Sequence, residues 1–268
     1  MRIAGGYGAL IAALAADLPA DGIFPDARVT QLALNEDGVE LHFTRSSGEA
    51  QRLHASHVIL ALPPRVAEAT ISFTPSLDAQ TARRWRETPT WMAPHAKFFA
   101  LYERPFWREA GLSGAAQSMV GPLVEIHDAT SATGAAALFG FVGVPAGERK
   151  GAGRDAVVAA SLRQLALLFG PQAASPAATL YKDWADDPLT ATAADAIATG
   201  HPVPDPQPWI GGDWGKHVLL AGSETSMTEP GYLAGAVEAG ERAAGELIAR
   251  LGDNRKVDRW QEPTGQCR

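Results

Sequence analysis

The segment that most limits how this chain can fold lies near its end, at 217–251. Residues 217–221 (HVLLA) form a continuous apolar run, the pattern of a strand buried on both faces. Gly222-Ser223-Glu224-Thr225-Ser226 then leads into a predicted helix over 231–251. Along that helix Gly231, Gly235, Ala239 and Ala243 recur at every fourth residue, so one ridge carries no bulky side chain. Such a ridge permits very close approach, and two readings fit it. One is tight packing of the helix on a sheet. The other is a helix N-terminus set against a ligand, with backbone N–H groups and the positive dipole end facing a polar or anionic group. In open α/β sheets, ligands sit beyond the carboxyl ends of the strands, where Gly222, Ser223 and Glu224 fall. A carboxylate there either accepts hydrogen bonds from sugar or ribityl hydroxyls or is a solvated loop acid.

Upstream, residues 8–18 read as a helix with Leu10, Ile11, Leu14 and Leu18 on one face, ended by Pro19 and Asp21-Gly22. Strands are expected at 28–34 and 39–44, joined through Asn35-Glu36-Asp37-Gly38 as a hairpin. The run 57–62 (HVILAL), stopped by Pro63-Pro64, again suits a strand buried on both faces. A polar helix follows at 77–87. Then come strands at 97–103, 123–128 and 135–142, an amphipathic helix at 155–169 and a strand at 179–184. Residues 185–216, rich in Pro, Gly and Asp, read as a long irregular loop, and 252–268 as a polar, disordered tail.

Composition excludes several classes. The chain has 268 residues, 46% of them hydrophobic, which is enough for a sizeable core. A net charge of −7 without a Lys/Arg cluster gives no reason to expect binding to nucleic acid or to anionic membranes. The single cysteine, Cys267, excludes a disulfide within the chain and a thiolate metal cluster. The seven histidines form no HxH or HxxxH pair and read as ordinary surface or core residues, so no metal site is expected. No apolar run approaches the ~20 residues of a membrane span. Nor does the N-terminus show a long apolar region followed by a cleavage site, which makes a cytoplasmic location the expectation.

The segment LLAGSETSMTEPGYLAGAVEAGERAAGEL resembles the C-terminal flavin-binding region of the flavin monoamine oxidase and polyamine oxidase family. There, a strand ending in AG-[ST]-E-[ST] is followed by a GY-x-x-G-A-x-x-[AS]-G helix. RIAGGYGALIAALAADL, HVILALPP and AKFFALYERPFW resemble further segments of the family in the same order, so the likeness runs to about residue 251. It implies FAD, contacted by Val29, Gly222, Ser223, Glu224 and Leu233, with Val29 and Leu233 acting through backbone groups. It places Lys97 beside the reactive edge of the ring, reaching a water near flavin N5. It makes Tyr232 a wall of the substrate cage and lets Phe141 line the same cavity. The plainer alternatives are a solvated strand lysine for Lys97 and core packing for Tyr232 and Phe141. The activity implied is oxidation of a C–H next to an amine nitrogen, with hydride passing to the flavin and electrons to O2.

Three departures from the family pattern shape the expectation. Gly6-Tyr7-Gly8 mimics a dinucleotide fingerprint, but Ile11 stands where a small residue is needed. The family's own fingerprint lies upstream of a segment like this one. Residues 185–194 contain no cysteine for covalent attachment, so FAD is expected to bind non-covalently. The same stretch lacks the second cage aromatic. The expected fold is therefore mixed α/β (α+β mixed). Residues 1–75 and 209–251 would form an incomplete FAD-binding, Rossmann-like domain, interleaved with a mixed-sheet substrate domain at 76–208. A small-molecule amine is the expected partner, along with a chain supplying the missing FAD-binding unit. Two rival readings remain: a non-catalytic fragment or partner subunit, and a flavin desaturase or porphyrinogen-type oxidase on the same scaffold.

Overall fold

A computed structural model of the chain describes residues 3, 5–197 and 199–254. Eleven strands are ordered β1 (Arg28–Asn35), β2 (Gly38–Thr44), β3 (Ala50–Ala55), β4 (Val58–Leu60), β5 (Ser72–Thr74), β6 (Ala96–Tyr102), β7 (Ala116–Gln117), β8 (Leu123–Asp128), β9 (Ala136–Val142), β10 (Ala178–Asp183) and β11 (Val218–Leu220) among the described residues. The helices are α1 (Gly6–Ala16), α2 (Pro64–Thr70), α3 (Ala79–Glu87), α4 (Phe106–Glu109), α5 (Ala146–Ala152), α6 (Arg154–Phe169), α7 (Trp214–His217) and α8 (Leu233–Asn254). Contacts gather these into two compact units, 1–27 with 91–200 and 28–90 with 201–268. The fold is mixed α/β. No helix among the described residues is long and apolar enough to cross a membrane.

In the unit built from 28–90 and 201–268, the hairpin forms as its turn residues dictate. The Asp37 N–H donates to Asn35 Oδ1 at 3.2 Å, and β1 and β2 pair antiparallel from Arg28↔Thr44 to Asn35↔Gly38. A four-stranded sheet, β3-β2-β1-β5, results, in which β5 runs parallel to β1. Its buried face meets Trp85 and Trp214, both edge-on to Phe73. The helix read as polar thus carries a core anchor: Trp85 is fully buried, and its indole N–H donates to the Trp209 carbonyl at 2.7 Å. The runs at 57–62 and 217–221 pair with each other in parallel, Val218↔Val58 through Leu220↔Leu60, as a separate two-stranded sheet. β11 is buried throughout. β4 is not buried on both faces as its apolar run suggests, because Ile59 points away from the core and is 37% exposed.

In the other unit, β10-β6-β9-β8-β7 form a five-stranded sheet that is antiparallel at every pairing. Mixed pairing belongs to the four-stranded sheet instead. Alternation along β6 sets the two faces. Ala96, Phe98, Ala100 and Tyr102 are buried under α6, while Lys97, Phe99 and Leu101 lie half-buried on the opposite face. The 185–216 stretch is irregular apart from short 3-10 turns and α7. Helix α1 forms where expected but buries none of its residues, and Tyr7, Ile11 and Leu14 are all more than 60% exposed. The polar tail beyond 254 lies outside the described residues.

One buried polar residue locks α6 to the sheet. Gln164, 3% exposed, accepts from the Leu123 N–H and donates to the Leu123 carbonyl, both at 2.7 Å. Gln164→Leu keeps the volume and strips both backbone groups of that partner. It is expected to destabilise the protein by about 2–4 kcal/mol, since each unsatisfied buried group costs about 1–3 kcal/mol. Urea denaturation of the variant against the wild type measures this.

Candidate functional site

Beyond the ends of β4 and β11 the chain makes a close-packed turn. Ser223–Thr225 form one turn of 3-10 helix, with the Thr225 N–H and hydroxyl both donating to the Gly222 carbonyl, at 2.9 and 2.8 Å. The Gly231 N–H then donates to the Ser223 carbonyl at 3.1 Å, fastening the start of α8 to the end of β11. A Cβ added at Gly222 would lie 2.6 Å from the Leu62 carbonyl oxygen. Glycine is therefore what lets this turn close against the end of β4. Glu224 is 4% exposed, which excludes the solvated loop acid.

The small-residue ridge faces inward, though not with all its expected members. Gly235 is buried, and Ala239 and Ala243 are fully so. A Cβ at Gly235 would stand 2.0 Å from the Glu229 carbonyl oxygen. Gly231 does not belong to the helix. Its φ of +82° is left-handed, incompatible with α-helical continuation, and α8 starts at Leu233. The loop between turn and helix is held by Glu238. Its carboxylate accepts from the Ser226 hydroxyl, from the Thr228 hydroxyl at 2.9 Å and from the Met227 N–H at 3.2 Å. These bonds, that of Ser226 foremost, bring the carboxyl down to about 2, so the clamp is ionised at neutral pH.

The structure thus brings Gly222, Ser223, Glu224, Tyr232 and Leu233 into one turn–helix junction. Val29 stands on β1 in the same unit, packed against the core cluster that includes Leu60 and Leu220. Tyr232 and Leu233 are 45% and 65% exposed at the helix start, so neither is a core residue. His201, set aside as ordinary by sequence, stacks on Tyr232 with ring centroids 4.5 Å apart, and its Nε2 meets the tyrosine hydroxyl at 3.1 Å. Nothing in a lone histidine 31 residues upstream signals that pairing.

The junction fits a flavin nucleotide. A buried carboxylate at strand ends can accept from a polyhydroxyl chain. The first N–H groups of a long helix have no intrahelical acceptor and carry the positive dipole end. The exposed apolar groups beside them suit a flat ring.

In the other unit, Lys97 and Phe141 are cross-strand neighbours on the open sheet face, in register between β6 and β9. Lys97 Nζ lies 5.3 Å from the Phe141 ring centroid and 6.0 Å from that of Phe139. Phe139 stacks on Phe99 at 4.8 Å and meets Phe141 edge-on at 4.9 Å, so Lys97 stands on an aromatic floor. The strand start before Lys97 is fixed by Arg149, 3% exposed, which donates to the Pro94 carbonyl at 2.9 Å and binds Asp183 through two bonds of 2.6 Å. Burial alone would raise the Asp183 carboxyl, but the Arg149 bonds hold it below the ordinary value. His95 is shifted down by burial, then by Arg149 and Lys97, which keeps its imidazole neutral. Glu125 and His127, missed in the sequence, share this face. His127 Nε2 lies 2.8 Å from Glu125 Oε1, and His127 stacks on Phe139.

Comparison with known proteins gives the family and the fold. Residues 1–248 match the model of the flavin containing amine oxidoreductase family. A protein of Mycobacterium tuberculosis that carries the name flavin-containing monoamine oxidase AofH is 32% identical over 272 residues, spanning 93% of this chain and 53% of the relative. A solved putrescine oxidase superposes with a TM-score of 0.73 at 26% identity, covering 93% of this chain and 54% of its own. Cyclohexylamine oxidase from Brevibacterium oxydans gives 0.71 at 28% identity, over 92% and 53%. The chain spans about half the length of the relatives it matches.

The ridge analysis makes a direct prediction. Gly235→Ala puts a methyl into the Glu229 carbonyl and must push α8 outward. Overpacking of that kind costs about 1–3 kcal/mol, so the melting temperature should fall by several degrees. An unchanged melting curve would place the ridge away from its neighbours.

Proposed function

The chain belongs to the flavin-containing amine oxidoreductase family, and on that premise we propose that it holds FAD non-covalently and presents an amine to it for oxidation. The observation that carries the proposal is the turn–helix junction, where a buried Glu224 and the start of α8 converge just beyond β11. FAD, when bound, accepts a hydride from the carbon next to the amine nitrogen and delivers the electrons to O2.

The remaining work is assigned to side chains. Glu224 accepts hydrogen bonds from the ribityl hydroxyls. Gly222 and Ser223 allow backbone approach, and Leu233 offers its backbone at the helix start. Val29 meets the adenine end through its backbone. By the family resemblance Tyr232 is assigned to walling the substrate; in the other unit Phe141 is assigned to lining a substrate cavity and Lys97 Nζ to holding a water. A neutral amine nitrogen supplies the lone pair that becomes the C=N bond as the C–H bond breaks, so the substrate enters uncharged at that end. Non-covalent binding is supported by the sequence, whose single cysteine, Cys267, lies far from the 185–194 stretch. A cytoplasmic location and a small-molecule amine as partner belong to the same proposal.

A second reading is favoured by one observation. Helix α1 exposes Tyr7, Ile11 and Leu14 and buries nothing, while β4 and β11 form only a two-stranded sheet. Apolar helices and short open sheets gain stability by being covered. In this reading a further polypeptide supplies the dinucleotide-binding strand and covers these surfaces, and oxidation requires it.

The test is amine-dependent peroxide release, with FAD added, followed by acid precipitation. The first reading predicts peroxide and full release of flavin to the supernatant. Flavin fluorescence in the pellet would contradict non-covalent binding. Peroxide from the chain and FAD alone would contradict the second reading.

A further inference from the structure

We propose that His201 is a positioning residue for Tyr232: it covers one face of the phenol ring, anchors its hydroxyl and leaves the opposite face to the substrate. The assignment rests on the reading of Tyr232 as a substrate wall. The imidazole lies over the phenol with centroids 4.5 Å apart and planes tilted by 22°, and its Nε2 is hydrogen-bonded to the tyrosine hydroxyl at 3.1 Å. Stacking fixes the plane of the ring, and the hydrogen bond fixes where its tip lies. A tyrosine 45% exposed at a helix start would otherwise exchange rotamers.

His201 can do this because the backbone that carries it is clamped at both ends. On one side Pro202 is buried against Gly231, the residue before Tyr232. A Cβ at Gly231 would stand 3.2 Å from the Pro202 ring and 3.7 Å from His201 Nδ1. Gly231 thus serves twice. Its left-handed φ turns the chain, and its missing side chain lets the 201–202 segment close over the helix start. On the other side Arg84 of α3 holds residues 205–209. It pairs with Asp205 at 2.8 Å, donates to the carbonyls of Gln207 and Pro208 at 3.1 and 2.6 Å, and lies 3.9 Å over the Trp209 ring. Only Val203 and Pro204 separate the two clamps, and prolines at 202, 204, 206 and 208 stiffen the strap.

The stack decides how an amine is walled. A ligand carbon needs about 3.5–4.0 Å to each of two flanking rings, roughly 7–8 Å in all. At 4.5 Å no ligand enters between His201 and Tyr232. The substrate therefore meets Tyr232 from the opposite face, and His201 stands behind the wall. A ring already held there needs no further ordering when the amine binds. A loose one must be immobilised on binding, which weakens affinity about two- to tenfold for one side chain.

Carbon-13-labelled tyrosine tests this, since the chain has four tyrosines and Tyr232→Phe assigns the resonance. Without ligand, the Tyr232 ring protons of the wild type should lie upfield of their position in His201→Ala, shifted by the imidazole ring current. His201→Phe keeps a ring and should keep the shift. His201→Gln keeps a hydrogen-bonding group and should lose it. Benzylamine is then titrated onto each form with FAD present, with the Tyr232 resonance as the readout. His201→Ala should bind about two- to tenfold more weakly than the wild type. His201→Phe and His201→Gln, each retaining one contact, should recover part of the loss, a rescue that a merely structural residue would not show. Tyr232 protons at the same position in wild type and His201→Ala, or equal benzylamine affinity in the two, overturn the proposal. Upfield Tyr232 protons that benzylamine leaves unmoved uphold the positioning by His201 and sink the substrate-wall reading instead.

Discussion

The junction between β11 and α8 works because two backbones come closer than side chains would allow. Gly222 lies against the Leu62 carbonyl, Gly235 against the Glu229 carbonyl, and the Gly231 N–H reaches the Ser223 carbonyl. Any Cβ at the first two positions would overlap a carbonyl oxygen. With that approach in place, Ala239 and Ala243 are carried to full burial, Glu224 is enclosed, and the first turn of α8 is presented at the strand ends. Arg242 strengthens the same seam by donating to the Leu220 carbonyl at 2.8 Å and the Thr225 hydroxyl at 3.0 Å. The geometry proposed to hold the flavin there is thus a consequence of packing.

The five-stranded sheet solves a different problem. Its inner face is closed by α6 and pinned by Gln164, which leaves the outer face open. Antiparallel register then does what a loop could not. It sets Lys97, Phe141 and Glu125 at fixed spacing on a rigid surface, with the Arg149–Asp183 pair bracing the strand entry at Pro94. Replacing one partner of such a buried pair is strongly destabilising, because the other charge stays behind.

Local pattern made much of this legible. The strand–turn–helix at 217–251 could be read because apolar runs and four-residue spacing are local signals. Lys97 and Phe141 are singled out by resemblance alone, and the register that joins them is visible only in the fold. What the sequence concealed depended on distant partners. Gln164 looks like a polar interruption in an amphipathic helix, and its partner is the backbone of Leu123, 41 residues away. Glu125 and His127 alternate along β8 as any solvent-facing pair would, and only the pairing with β9 sets them beside Phe139 and Phe141. Four-residue spacing extends the helix to Gly231 because it cannot reveal a left-handed φ. Trp85 hid its anchoring role in a helix otherwise rich in Arg, Gln and Glu.

The central claim is that the turn after β11 and the first turn of α8 hold FAD. Amide hydrogen exchange with and without saturating FAD addresses it segment by segment, since bound ligand slows local opening. The account predicts slowed exchange at 222–226 and 231–236 and on β1 around Val29, with α3, β2 and the edge strand β3 unchanged. Unaltered exchange across 222–236, or protection confined to other segments, would contradict it.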